Sequence, residues 1–192
     1  GQPGDPFAGL QRPIFLNVGR VAVEKNIEAF ASLKLPGTKV IVGDGPQLEE
    51  LKKNYKDVVF LGAKFGDELS ACYASADVFV FPSLTDTFGL VVLEAMAAGT
   101  PVAAYDATGP RDVIPGSGAG TITPLNGDLA QGAIDCLKLS REAARAHAET
   151  YSWRACAEVF LENLQPLDPP QRRRFWHKIR IRRRKAQAAT AT

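Results

Sequence analysis

Phe81-Pro82-Ser83-Leu84-Thr85-Asp86-Thr87-Phe88-Gly89-Leu90-Val91-Val92-Leu93-Glu94-Ala95-Met96-Ala97-Ala98-Gly99-Thr100-Pro101-Val102 runs from a strand through a turn into a helix. The apolar run Val78 to Phe81 reads as a buried strand and Pro82 to Thr87 as the turn. Leu90 to Ala98 reads as a helix that Gly99 and Pro101 terminate. Glu94 is the only charge in that helix, and its neighbours are apolar on every side. Such a helix is expected to be buried all round, so an ionised Glu94 must find a partner. Asp86 lies just ahead of the helix, whose free N–H groups and dipole favour a bound anion. The pattern suits an anion near the turn, with Asp86 and Glu94 placed to accept hydroxyls. Plainer readings stand beside it: Asp86 as an N-cap or turn residue, Glu94 as one half of an internal ion pair.

The same strand-then-helix rhythm extends in both directions. Upstream, Ile14 to Val18 precedes Glu24 to Leu33, Lys39 to Val42 precedes Gln47 to Tyr55, and Val58 to Leu61 precedes Asp67 to Ser75. Downstream, Val102 to Ala104 leads to a short turn at Gly109 to Ile114, and Gly120 to Ile122 to a helix over Asp128 to Lys138. Six βα units of this length predict an α/β, doubly wound Rossmann-like parallel sheet in the order 3-2-1-4-5-6. Helices over Arg141 to Glu149 and Ser152 to Leu164, the latter capped by Ser152, are expected to close the domain before Gln165-Pro166-Leu167-Asp168-Pro169-Pro170 breaks regular structure. The expected organisation is a linker over 1–12, a domain over 13–165, and a Pro-rich linker with a basic tail over 166–192.

Gly19, Arg20, Gly43, Asp44, Gly45, Gly62 and the Ser83 to Gly89 turn all follow carboxyl ends of strands, where open α/β sheets bind ligands. Strands one and four are neighbours in that order, which brings Gly19, Arg20 and Lys25 beside the Asp86 turn. Two cations and a helix N-terminus in one crevice suit a diphosphate, with Arg20 forking onto oxygens and Lys25 acting as a point charge. They could be surface charges at a helix start, but a cation there opposes the dipole, so an anionic ligand is the better explanation. Gly43, Gly45 and Gly62 read either as turn glycines or as points of close ligand approach.

The chain's formal charge of +2 conceals a division. From Gln171 onward there are nine bases and no acid; removing them from the 23 Lys and Arg leaves fourteen bases against 21 acids, a net of −7 for the body. Cys72, Cys136 and Cys156 lack metal-ligand or redox spacing and read as buried apolar fillers in a reducing cytoplasm. No apolar run approaches the roughly 20 residues that span a bilayer. Gly1 is not an initiator methionine, so the sequence reads as starting inside a longer polypeptide or after processing. His147 on a polar helix and His177 in the tail are poor candidates for a catalytic base.

On these motifs the sequence from Pro13 to Leu164 resembles the C-terminal, donor-binding domain of retaining GT-B glycosyltransferases of the large family four. Asn17-Val18-Gly19-Arg20 with Lys25 and Asn26 is similar to that family's diphosphate-binding elements, and Val42 to Pro46 to its second-strand loop. Asp86 to Glu94 aligns with its acid-x7-acid motif. The first acid, usually Glu, is here the shorter Asp86, in the Thr85-Asp86-Thr87-Phe88-Gly89 form seen in mannosyltransferases and glycolipid-forming enzymes.

The resemblance implies a UDP- or GDP-hexose donor, with Asp86 on hydroxyls of the transferred sugar and Glu94 on the ribose. It also implies Arg20 and Lys25 on the diphosphate, backbone near Gly19, Phe88, Gly89 and Leu90 on sugar and phosphate, and Lys64 near the base. It implies retention at the anomeric carbon, no cofactor and no metal. Consistent with the last, the chain has no Asp-x-Asp pair. The family's N-terminal acceptor-binding domain has no counterpart here, so the isolated chain is expected to bind donor more readily than to turn it over. The alternative is a non-catalytic nucleotide-sugar-binding module or partner subunit.

The tail Arg172 to Lys185 interleaves Phe175, Trp176, Ile179 and Ile181 with charge. This is a pattern of interfacial anchors on anionic membranes, and it suggests a cytoplasmic protein peripheral on the inner membrane face. A solvated disordered tail and a nucleic-acid contact are the rivals. The acidic body disfavours the second, and no specific nucleic acid is expected.

Overall fold

The computed structural model describes residues 4–86 and 89–151 together with positions 154, 157, 158 and 161. It divides into a unit over Gly1–Ser152 and another over Trp153–Thr192. The first unit is built on six strands: β1 (Ile14–Val18), β2 (Thr38–Val42), β3 (Val58–Phe60), β4 (Val78–Phe81), β5 (Val102–Tyr105) and β6 (Gly120–Thr123). All pair in parallel in the order β3-β2-β1-β4-β5-β6, the doubly wound arrangement expected from the sequence. The helices are α1 (Ile27–Ala31), α2 (Leu48–Asn54), α3 (Gly66–Ser75), α4 (Leu90–Ala97), α5 (Pro110–Val113), α6 (Leu129–Cys136) and α7 (Arg141–Glu149).

The central strands are mostly apolar because both faces of the sheet are covered. Ile14, Leu16, Val40, Phe79 and Val102 point to one face and pack with Tyr73 of α3, Met96 of α4 and Ala144 of α7. Phe15, Ile41, Val58, Val80 and Ala103 point to the other and pack with Phe30 of α1, Leu51 of α2 and Ala133 of α6. Residues 5–12, read as linker, lie against this core: Phe7 is buried in it, and Arg12 pairs with Asp5 at 3.2 Å and Asp77 at 2.8 Å. Cys72 and Cys136 are buried, and burial pushes the Cys136 thiol up to about 11. Cys156, Ser152, Phe88, His177 and the basic tail lie outside the described residues. Of the helix expected over Ser152 to Leu164, positions 154, 157, 158 and 161 are described and helical.

Two local expectations are corrected. The helix predicted over Glu24 to Leu33 is split into a 3-10 turn at Val23–Lys25 and α1, because Asn26 takes the left-handed conformation with φ 52° and ψ 34°. Asn tolerates that geometry, and its side-chain amide donates to Pro82 O at 3.0 Å, tying the break to the loop after β4. Second, α4 is not buried all round. Val92, Ala95 and Met96 form its buried stripe, while Leu90 (66% exposed), Glu94 and Ala97 lie on the solvent side.

Lys39 in β2 is buried, a role that its place ahead of the apolar run Val40 to Val42 does not announce. Its ammonium donates to Ala31 O and, at 2.9 Å, to Leu33 O, and pairs with Asp57 at 2.8 Å. A cation there satisfies carbonyls at the α1 C-terminus and complements its dipole. Its hydrogen bond to Asp57 holds that carboxyl below the usual range. Lys39→Met keeps the aliphatic stem and removes the donor. Relief from burying a charge offsets part of the loss, so the expected net destabilisation is about 2 kcal/mol, read as a lower urea midpoint at unchanged slope.

Candidate functional site

The β1–β4 ladder registers only Phe15 with Val78 and Leu16 with Phe79. One residue further, the Asn17 side chain replaces the backbone donor, its Nδ2 reaching Val80 O at 2.9 Å. The strands therefore diverge at their carboxyl ends without orphaning that carbonyl, and a cavity of about 350 Å3 opens between the two loops. Gly19, Arg20, Lys25, Asp86, Gly89 and Leu90 all line it, as the sequence predicted for the switch point of the sheet.

Three contacts tie the loop after β1 to the loop after β4. Asn26 reaches Pro82, the Thr85 hydroxyl donates to Glu24 O at 3.2 Å, and Lys25 Nζ donates to Asp86 Oδ2 at 2.6 Å. The Lys25–Asp86 pair is largely buried, with side chains 32% and 21% exposed. Asp86 is thus not the N-cap of α4. That position belongs to Gly89, which has no side chain to cap with, and among the described residues no side chain bonds the first-turn amides of α4, whose Leu90 and Val91 line the cavity. Arg20 is mostly exposed and pairs with Glu24 at 3.1 Å, one turn along the chain. Such a pair contributes about 0–1 kcal/mol and yields readily to an anion.

Glu94 stands one turn after Leu90 on the exposed side of α4, and its Oε2 accepts the Tyr73 hydroxyl at 2.8 Å. It has no ion pair among the described residues, so the internal cation weighed for it is replaced by a neutral phenol. Burial, then the bond to Glu94, pushes the Tyr73 hydroxyl well above its ordinary value. Lys64 does not line the cavity. It borders a separate depression of about 300 Å3 beside Leu61 and Cys72, where it lies 3.5 Å from Glu68. His147 binds Val113 O at 2.7 Å through Nε2 and packs edge-on to Tyr151, a structural setting. Among the described residues no three His, Cys, Asp or Glu gather as a metal site.

Sequence reasoning missed Tyr73, and named Ser83 only as the start of the turn after β4. Ser83 Oγ and Asn17 Oδ1 are buried at the cavity wall with no hydrogen-bond partner among the described residues. The signal for both was available: polar residues inside or directly after apolar strand runs, Asn17 in β1 and Ser83 two residues beyond β4.

Residues 12–139 match the family described as Glycosyl transferases group 1. The chain is 42% identical over 165 residues to the sulfoquinovosyl transferase SQD2 of Arabidopsis thaliana, covering 76% of this chain and 32% of that protein. It is 44% identical over 116 residues to a GDP-mannose-dependent alpha-mannosyltransferase of Mycobacterium tuberculosis, covering 59% and 31%. Among solved structures, it is similar to the sucrose-phosphate synthase of Thermosynechococcus elongatus, with TM-score 0.63 and 28% identity over 78% of this chain and 44% of that one. It shares its fold with HepE of Anabaena, solved with UDP and glucose, at TM-score 0.65 and 23% identity over 79% and 48%. The chain spans about a third of the length of these two curated relatives.

Gly43 shows why the crevice needs glycine. Its φ is +147°, and a Cβ there would sit 1.9 Å from Gly19 O. The loops after β1 and β2 thus meet backbone to backbone. Gly62 has φ +69° but open space around it. Gly43→Ala is expected to destabilise by on the order of 3 kcal/mol and Gly62→Ala by about 1 kcal/mol; chemical denaturation of both variants checks the contrast.

Proposed function

The chain belongs to the group 1 glycosyl transferases, and from that premise we propose that it is the donor-binding half of a retaining GT-B hexosyltransferase that holds a UDP- or GDP-hexose. The observation that carries the reading is the meeting, in one cavity, of the Lys25–Asp86 pair with the Gly89-initiated start of α4. A diphosphate fits among Lys25, Arg20 and the α4 amides, where opposite charge and aligned N–H groups stabilise it and, during transfer, the developing charge of the leaving diphosphate. Asp86 adjoins Lys25, so an acceptor for sugar hydroxyls lies next to the phosphate site, where the bond between the two would be broken. Gly19, Gly89 and Leu90 border the same space, and Glu94, one turn along α4, is placed for the ribose. The relatives' names support the donor class: one is GDP-mannose-dependent, and HepE was solved with UDP.

The opposite wall, which binds the glycan or lipid acceptor, is proposed to come from a second domain. The chain covers about half of the solved structures it resembles. On this reading no cofactor takes part, the leaving diphosphate helps to accept the acceptor's proton, and the isolated half turns over little. Lys64, beyond the cavity, is proposed to approach the base only from its own depression.

Calorimetry separates these roles. Lys25→Ala and Glu94→Ala are each expected to weaken UDP or GDP binding by about tenfold. Asp86→Ala should leave the bare nucleotide bound as well or better, because it frees Lys25, while weakening the nucleotide sugar. If neither nucleotide binds the unaltered chain, or Asp86→Ala weakens both ligands alike, the assignment fails.

Among the described residues no helix is long and apolar enough to cross a membrane. The tail Arg172 to Lys185 is proposed to hold the protein on an anionic, cytoplasm-facing membrane surface through its bases and interleaved aromatic and Ile side chains. Sedimentation with phosphatidylserine vesicles should retain the full chain and release a version ending at Leu167; equal binding of the two would refute the anchor.

A further inference from the structure

Tyr73 belongs to the interior by every measure except its hydroxyl. The residue is 3% exposed, and its ring packs against Phe79 with centroids 5.7 Å apart and planes at 60°. Its backbone carbonyl accepts the Thr100 hydroxyl at 2.6 Å. Arg141 of α7 caps the end of α3 just beyond, donating to Ala74 O and Ala76 O at 2.7 Å each and lying 3.3 Å from Thr100 Oγ1. Main chain and ring are therefore fixed by β4, by Thr100 two residues ahead of β5, and by α7. From this fixed base the phenol reaches out to Glu94 Oε2 at 2.8 Å, on the exposed side of α4.

We infer that Tyr73 is a positioning residue for the Glu94 carboxylate, orienting it to receive the vicinal hydroxyls of a nucleotide ribose. The inference rests on the donor-site reading of Glu94 given above. A glutamate on a solvent-facing helix surface has three rotatable bonds and otherwise samples many rotamers. One directed O–H donor from a rigid phenol selects among them. Oε2 keeps a second lone pair, and Oε1 accepts no hydrogen bond from the described residues, so both oxygens retain capacity toward a diol. Burial keeps the phenol protonated at any pH where a transferase works, so it remains a donor. A role confined to holding α3 against α4 would not depend on the ligand's hydroxyls. A role in orienting the acceptor would.

The experiment compares binding of UDP and of 2′,3′-dideoxy-UDP, with the guanosine pair in parallel, to the full chain and to Tyr73→Phe, Glu94→Gln and the double variant. Tyr73→Phe should weaken the nucleotide with a ribose diol by about tenfold, leave the dideoxy nucleotide within about twofold, and add nothing to Glu94→Gln. Binding of the dideoxy nucleotide itself reports that each variant is folded. Wild-type affinity in Tyr73→Phe, equal weakening of both nucleotides, or losses that add in the double variant would each overturn the proposal while leaving Glu94 in place. If Glu94→Gln binds UDP and GDP as the unaltered chain does, the ribose assignment of Glu94 falls and the role of Tyr73 falls with it.

Discussion

One buried amide opens this fold. In a parallel sheet neighbouring strands stay about 4.8 Å apart as long as backbone bonds continue between them, and a ligand crevice requires that they stop. At Asn17 the side-chain Nδ2 takes over Val80 O, so β1 and β4 part without leaving that carbonyl unmet in the interior. An apolar residue there would either zip the strands further or orphan the acceptor. The features beyond Asn17 are arranged around this divergence. Gly19 turns aside with its carbonyl against Gly43, the chain reverses at the left-handed Asn26, and Lys25 is presented to the loop after β4.

The framework was legible in the sequence because its signals are local. Most strands carry a short apolar run, as strands covered on both faces do, and turn residues stand between runs and helices. Six such units and their spacing were enough for the strand order, and the position of the crevice followed from that order. The placement of Gly19, Arg20, Lys25 and Asp86 around one cavity needed no more than this topology and the acid motif.

What could not be read depends on partners distant in sequence. Nothing within reach of Asn26 says that its conformation will be locked by a carbonyl 56 residues away. Lys39 stands at the head of the apolar run Val40 to Val42, where a strand lysine ordinarily reaches solvent, and only the packing of α1 against β2 makes its ammonium a buried cap. The composition of α4 gave the wrong expectation for a specific reason. A helix apolar but for Glu94 reads as covered on every side, yet Leu90 lines an open crevice, where an exposed apolar surface is what a ligand site presents. Tyr73 was hidden for the complementary reason: an aromatic on an amphipathic helix reads as core, and its ring is core, while its one polar atom works at the surface.

The charged groups proposed to hold the donor are not waiting unpaired. Arg20 lies on Glu24, Lys25 on Asp86, and Glu94 receives Tyr73. Binding on this arrangement is an exchange, and the exchanges differ in difficulty. The Arg20 pair is solvent-exposed and gives way for little. The Lys25–Asp86 contact is shorter and more enclosed, so a diphosphate that draws Lys25 away leaves Asp86 needing new donors in a poorly hydrated place. Sugar hydroxyls supply them. A bare diphosphate therefore meets a site in which engaging its cation strands an acid, whereas a nucleotide sugar satisfies both partners at once. On the proposed reading, selectivity for the intact donor over its own nucleotide product would follow from this pairing, without any contact that reads the sugar's identity.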